Sequence, residues 1–145
     1  MKNFFFIVML LLSISLSAQE IGVRFGEVAR NNVAIDGIIP TGGNRIHANI
    51  SFGDNGVGLD ALWDFVYEPL GQEALMWYAG FGPSASFGDD DFYLGASGEI
   101  GLEYRFSGVP IVIGADYRPT FWIVEDTDWE WGGFGLNVRW DFSAN

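Results

Sequence analysis

The sequence predicts an all-β fold over residues 19–145, an eight-stranded antiparallel up-and-down β-barrel. Three observations predict it. Apolar and polar residues alternate with period two through most of that stretch. The 145-residue chain is rich in glycine (20) and in aromatics (6 Trp, 5 Tyr, 13 Phe) and has no cysteine, a composition of strands and tight turns. The segments between alternating runs are short and carry turn residues, too short for parallel crossovers.

The chain opens differently. Met1-Lys2-Asn3 carries the sole lysine, residues 4–12 are uninterruptedly apolar, and residues 13–18 are small and weakly polar. That order is a secretory signal peptide, with cleavage expected after Ala18. The stretch 4–18 falls short of the ~20 apolar residues of a membrane helix. The expected organisation is therefore a leader over 1–18 and one barrel domain over 19–145. The formal net charge of −12 argues against a nucleic-acid partner. The absence of cysteine excludes disulfides and thiolate chemistry, and a single histidine, His47, excludes any site that needs two. Past the leader no lysine remains. Water-facing surfaces normally mix Lys with Arg, Glu and Asp, so the polar residues here must mostly face something else.

The strands read as follows. Ile21, Val23 and Phe25 alternate with Gly22, Arg24 and Gly26. Val33, Ile35 and Ile39 share one parity and Asp36 takes the other. Ile46, Ala48, Ile50 and Phe52 oppose His47, Asn49 and Ser51. Leu59, Ala61, Trp63, Phe65 and Tyr67 oppose Gly58, Asp60, Asp64 and Glu68. Trp77, Ala79, Phe81, Ala85 and Phe87 oppose Tyr78, Gly80, Gly82, Ser84 and Ser86. Phe92, Leu94, Ala96, Ile100, Leu102, Tyr104 and Phe106 oppose Gly95, Ser97, Glu99, Gly101, Glu103 and Arg105. Ile111, Ile113, Ala115, Tyr117 and Phe121 oppose Gly114, Asp116, Arg118 and Thr120. Phe134, Leu136, Val138, Trp140 and Phe142 oppose Gly133, Gly135, Asn137, Arg139 and Asp141. Turn chemistry separates them at residues 30–32, 40–44, 53–56, 69–72, 88–91, 107–109 and, at greater length, 125–131. Leu62, Val66, Met76 and Val112 are apolar residues at polar-face positions.

Alternation does not say which face is inside; volume does. Eight strands enclose an interior just wide enough for a few layers of side chains. The apolar face, crowded with aromatics, would not fit. The other face is rich in glycine and fits. It also carries Arg24, Arg105, Arg118 and Arg139 with Asp36, Asp60, Asp64, Glu99, Glu103, Asp116 and Asp141. Arginine pairs carboxylates bidentately and suits enclosed networks. The apolar band is therefore expected against lipid and the charge network in the lumen. Gly80→Asp, on the lumen face, is expected to be better tolerated than a charge on the band. With both termini periplasmic, Tyr67, Trp77, Tyr104, Phe106, Trp140 and Phe142 form a girdle at one end, and Phe25, Phe52, Phe87, Phe92, Phe121 and Phe134 one at the other, the signature of an outer-membrane barrel.

Leu75-Met76-Trp77-Tyr78-Ala79-Gly80-Phe81-Gly82, Ile100-Gly101-Leu102-Glu103-Tyr104-Arg105-Phe106 and Val109-Pro110-Ile111 form a pattern that resembles the small eight-stranded outer-membrane barrels of Gram-negative bacteria, the OmpX and OmpA-transmembrane-domain type. The last strand, with Trp140 and Phe142 two apart, is similar to that family's C-terminal assembly signal, although Ser143-Ala144-Asn145 follow it. The resemblance implies an outer-membrane location and a lipid environment. Small barrels of this kind include lipid-modifying enzymes that work through a histidine, but His47 has lumen parity and no serine beside it on the lipid face. The expectation is a non-enzymatic structural or interaction protein with neither cofactor nor metal. Its acidic loops, Asp89, Asp90 and Asp91 together with Glu125, Asp126, Asp128 and Glu130, would face outward. They would be solvated, or would bridge to lipopolysaccharide through divalent cations, or dock onto an envelope complex. Trp129 and Trp131 would anchor at the membrane interface. Two alternatives stay open: a minimal cation-preferring pore, and a soluble periplasmic lipocalin-like carrier of an apolar ligand.

Overall fold

The computed structural model describes residues 2–17, 19–54, 56–88, 92–124 and 128–143; side chains at 10–17, 72, 73, 124, 128 and 130 lie outside the description. An α-helix, α1 (Lys2–Ser17), precedes eight strands among the described residues: β1 (Glu20–Val28), β2 (Asn31–Pro40), β3 (Arg45–Gly53), β4 (Gly56–Leu70), β5 (Gln72–Phe87), β6 (Phe92–Arg105), β7 (Ile111–Val124) and β8 (Asp128–Asp141). Each pairs antiparallel with its chain neighbours. β1 also pairs with β8, through Ile21 with Trp140 and Val23 with Val138, which closes the barrel. Closure leaves no sheet edge. No described helix is long and apolar enough to cross a membrane. The α1 residues Asn3, Phe6 and Ile7 line a groove with Ile50, Val57, Leu59 and Phe87 on the outer face.

The period-two pattern becomes two faces because successive Cβ atoms point to opposite sides of a strand. In β6, for example, Gly95, Ser97, Glu99, Gly101 and Glu103 are buried while Leu94, Ala96, Ile100, Leu102 and Tyr104 are exposed. Among the described residues the interior is mostly polar and the exterior mostly apolar. Leu62 and Val112 stay inside, fully buried.

Three local features depart from simple alternation. The β1–β2 connection turns on Ala29 and Arg30, one residue earlier than its sequence suggests. Both have positive φ (46° and 71°), and Val28 pairs with Asn31 across them, the mirror-image turn whose twist suits a hairpin. Arg30 then stacks over the Tyr93 ring at 3.7 Å. In β4 an extra residue at Phe65 makes a bulge: Asp64 pairs with Gly80, but Val66 pairs with Ala79 and Tyr67 with Tyr78. A bulge exchanges the faces of everything beyond it. Tyr67 therefore belongs to the lumen and not to the outer girdle, and Val66 sits opposite the outward Ala79. In β8, Gly132 (φ 72°) and a register shift opposite residues 118–120 let the strand start at Asp128. Asp128 and Glu130 are thus strand residues in register with Trp122 and Thr120, not members of a loop. Asp89, Asp90, Asp91, Glu125 and Asp126 lie outside the described residues.

The lumen is closed by different chemistry at its two ends. Where the β1–β2 and β3–β4 turns lie, Val28, Ala29, Ala34 and Trp122 form a buried apolar cluster with Tyr93 packed against it. At the end carrying the chain termini the plug is charged.

Candidate functional site: the charged lumen

At the terminal end, Arg105 reaches Glu20 (2.7 Å), Asp141 (2.9 Å) and Glu103 (3.0 Å). The Tyr67 hydroxyl accepts from Arg105 Nε (2.7 Å) and donates to Glu103 Oε2 (3.0 Å). Arg45 donates from Nε to Asp64 Oδ2 (2.7 Å). Its Nη2 lies 2.7 Å from Glu103 Oε1 as an ion pair, without hydrogen-bond alignment. The Arg45 guanidinium also covers the rings of Tyr67 (4.1 Å) and Tyr78 (4.7 Å). Glu103 thus serves three arginines, the third being Arg139.

One layer up, Arg139 bonds Glu20 (3.0 Å), Asp36 (3.1 Å), Glu103 (2.9 Å) and Asn137 (2.6 Å). His47 stands between two carboxylates, with Nε2 2.5 Å from Asp36 Oδ1 and Nδ1 2.9 Å from Glu99 Oε1. Asn49 donates to Asp36 and accepts from Arg118. Arg118 continues to Glu99 (2.6 Å) and Asp60 (3.1 Å). Above this, Arg24 forks onto Asp116 with Nη2–Oδ1 at 2.5 Å and Nε–Oδ2 at 3.1 Å, and caps the Gly26 and Glu27 carbonyls. Beside it, Ser84, Ser97 and Thr120 form a row of hydroxyl contacts at 2.5 and 2.7 Å.

All eleven residues expected in the lumen network, namely Arg24, Asp36, Asp60, Asp64, Glu99, Glu103, Arg105, Asp116, Arg118, Arg139 and Asp141, occur on the inner face; only Arg105 is partly exposed. Trp77, Tyr104, Phe106, Trp140 and Phe142 lie on the outer face. Sequence reasoning missed Arg45 and Glu20 as network members because both precede the first apolar residue of their strands. The signal was present: Arg45 has the parity of His47, and Glu20 that of Arg24. His47 is central to the network, not marginal to it. Ser51, its neighbour on the same face, is bonded by Asn31 (3.1 Å), so the His47 ring contacts carboxylates rather than a hydroxyl.

The electrostatics explain the connectivity. A buried ion whose partner is removed costs about 3–5 kcal/mol, so a charged interior persists only when nearly every charge is shared. Arg24, Arg118 and Arg139 are each essentially inaccessible, as are the inward Leu62 and Tyr78. The lumen is filled by side chains. The grooves of the surface lie outside, one of them among Leu70, Trp77, Ile100, Leu102, Tyr117 and Phe134. Comparison with protein-family models, with curated proteins and with solved structures gives no match.

Proposed function

We propose that this chain is an integral outer-membrane β-barrel of the small type that OmpX and the OmpA transmembrane domain exemplify, secreted by its leader and acting without catalysis as a structural or interaction protein. One observation carries the reading: the outer face is apolar and the lumen charged. Phe134 is 82% exposed, Trp131 72% and Leu136 62%, whereas Arg139 is 1% exposed. A contiguous apolar belt around a whole protein far exceeds the few hundred Å² that soluble monomers tolerate, and lipid is the medium that suits it. Strands of 9 to 16 residues meet the ~9–11 that a tilted crossing requires.

The same geometry weighs against the two alternatives. A carrier of apolar ligands needs an apolar cavity, and this interior is an ion-pair network. A pore needs a water path, and Arg118, Arg139, Tyr78 and Leu62 fill the section. Trp129 packs on Phe121 (5.8 Å) and Trp131 on Trp129 (5.3 Å). This exposed aromatic strip suits the membrane interface, where indole rings sit at headgroup level. Acidic residues of the outward loops would then engage divalent-bridged lipopolysaccharide or an envelope partner.

Cell fractionation with electrophoresis before and after boiling tests the proposal. Recovery in the outer membrane with a boiling-dependent shift in mobility is the expected result; recovery in the soluble periplasm would refute it. Planar-bilayer recording tests the filled lumen. Conductance steps that change in Glu99→Gln would restore the pore reading.

A further inference from the structure

We propose that the barrel encloses a divalent transition-metal site formed by His47, Asp64 and Glu99. The placement begins with a glycine. Asp64 on β4 and Glu99 on β6 are both in register with Gly80 on β5. With no side chain at position 80, the two carboxylates approach each other across β5. A Cβ there would meet Asp64 Oδ1 at 2.4 Å. His47 joins from β3, and one donor atom from each residue falls within 4.8 Å of the others.

Each of the three groups has one atom committed outside the trio and one turned toward the other two, His47 Nδ1 and Glu99 Oε1 lying 2.9 Å apart. Asp64 Oδ2 is held by Arg45 Nε (2.7 Å), Glu99 Oε2 by Arg118 Nη2 (2.6 Å), and His47 Nε2 by Asp36 Oδ1 (2.5 Å). The remaining atoms are Asp64 Oδ1, Glu99 Oε1 and His47 Nδ1. Asp64 is fully buried, no N–H or hydroxyl group among the described residues donates to its Oδ1, and the Glu99 carboxylate lies beside it. A buried acceptor left unmade costs about 1–3 kcal/mol, more when charged. A proton on Nδ1 would link His47 to Glu99 and still leave that oxygen unsatisfied. A metal ion between the three atoms satisfies all of them at once.

The chemistry suits a borderline dication. Asp36 accepts the Nε2 proton, which directs the lone pair onto Nδ1, and a carboxylate behind a ligating imidazole is the usual supporting arrangement. One imidazole with two carboxylates and no sulfur favours zinc, manganese or ferrous iron. Around zinc, tetrahedral donors at about 2.0–2.1 Å stand about 3.3 Å apart, so the 2.9 Å His47–Glu99 contact opens by a few tenths of an ångström and Asp64 closes in. Charge agrees. Eight buried carboxylates on the described inner face stand against four buried guanidiniums and the partly exposed Arg105, and a dication offsets part of the excess. The lumen is filled at both ends, so the ion would be enclosed as the barrel folds and would exchange slowly.

The test is refolding. The purified barrel is unfolded in urea with chelator and refolded in detergent with Zn²⁺, or with Co²⁺ as a spectroscopic reporter, then stripped with EDTA. The expected result is one retained zinc per folded chain, a higher temperature for the boiling-dependent mobility shift, and cobalt absorption in the visible typical of low-coordinate nitrogen and oxygen ligation. Asp64→Asn should fold, since Arg45 keeps Glu103, and retain at least tenfold less zinc. Asp36→Asn should weaken retention 10–100-fold through the imidazole. A folded wild-type barrel without retained metal overturns the proposal and assigns the gap to a proton shared by Asp64 and Glu99. Equal retention by a folded Asp64→Asn overturns it too. If Asp64→Asn does not fold, the wild-type cobalt spectrum decides, and an octahedral, water-like spectrum overturns the proposal. The inference requires the closed barrel but not its location in a membrane.

Discussion

Arg139 and Trp140 are consecutive residues of β8, and they meet opposite environments. Arg139 is buried among Glu20, Asp36, Glu103 and Asn137; Trp140 is 50% exposed on the outer face. The inner residue is specified by partners on three other strands and one on its own, the outer one only by being apolar. The inner face should therefore be intolerant of changes that leave a buried charge unpaired or fill occupied space, and the outer face tolerant of any change that keeps it apolar.

The largest effect is expected from Arg139→Ala. Three carboxylates lose a shared cation, and a loss of about 3–5 kcal/mol follows, measurable as the urea midpoint of the folded barrel in detergent. Gly80→Asp belongs in the same class. The sequence suggests better tolerance at this lumen glycine than on the apolar band, but a Cβ there would lie 2.6 Å from the Trp63 carbonyl and 2.4 Å from Asp64 Oδ1. The added side chain has no space and its charge no partner, so the heat-modifiable form should fail to appear. Next comes the outer face with its rule broken. Leu102→Arg should cost about 2–4 kcal/mol in a bilayer and much less in a detergent micelle that lets the guanidinium reach water. Equal costs in the two media would contradict the lipid-facing assignment.

A smaller effect, about 1.5–3 kcal/mol for hydrogen bonds to charged groups, is expected for Tyr67→Phe. The change removes the hydroxyl between Arg105 and Glu103 while keeping the ring under Arg45. If Tyr67 were an outer girdle residue, the same change would be silent. The smallest is Phe134→Leu, an apolar exchange at a position of β8 that is 82% exposed, expected within about 0.5 kcal/mol.

Those residues also mark where the sequence could be read. Alternation exposed the two faces because the pleat is regular over most of each strand, and crowding of large apolar side chains decided which face was out. The bulge at Phe65 was not legible: Phe65, Val66 and Tyr67 are all apolar or aromatic, so no polar residue betrays the change of parity. Val66 as a misfit on the polar face was the only hint. The turn at Ala29 and Arg30 uses positive φ without glycine, which hides it from turn signals. The start of β8 at Asp128 depends on a register shift at Gly132. Within the lumen, the members were legible by parity but their partners were not. His47 meets Glu99 from three strands away because a closed barrel staggers its strands, and that stagger is a property of closure, not of local sequence.

The absence of cysteine makes the facing of the strands directly measurable. Single spin labels at Leu102→Cys and Leu136→Cys, in the barrel reconstituted into vesicles, report collision with oxygen, which concentrates in lipid, and with a polar nickel chelate, which stays in water. High oxygen accessibility with exclusion of the chelate at both positions is the result expected of an apolar face in lipid. Free access of the chelate at both, in a folded barrel, would mean that this face meets water and that the apolar belt is not a lipid-facing surface.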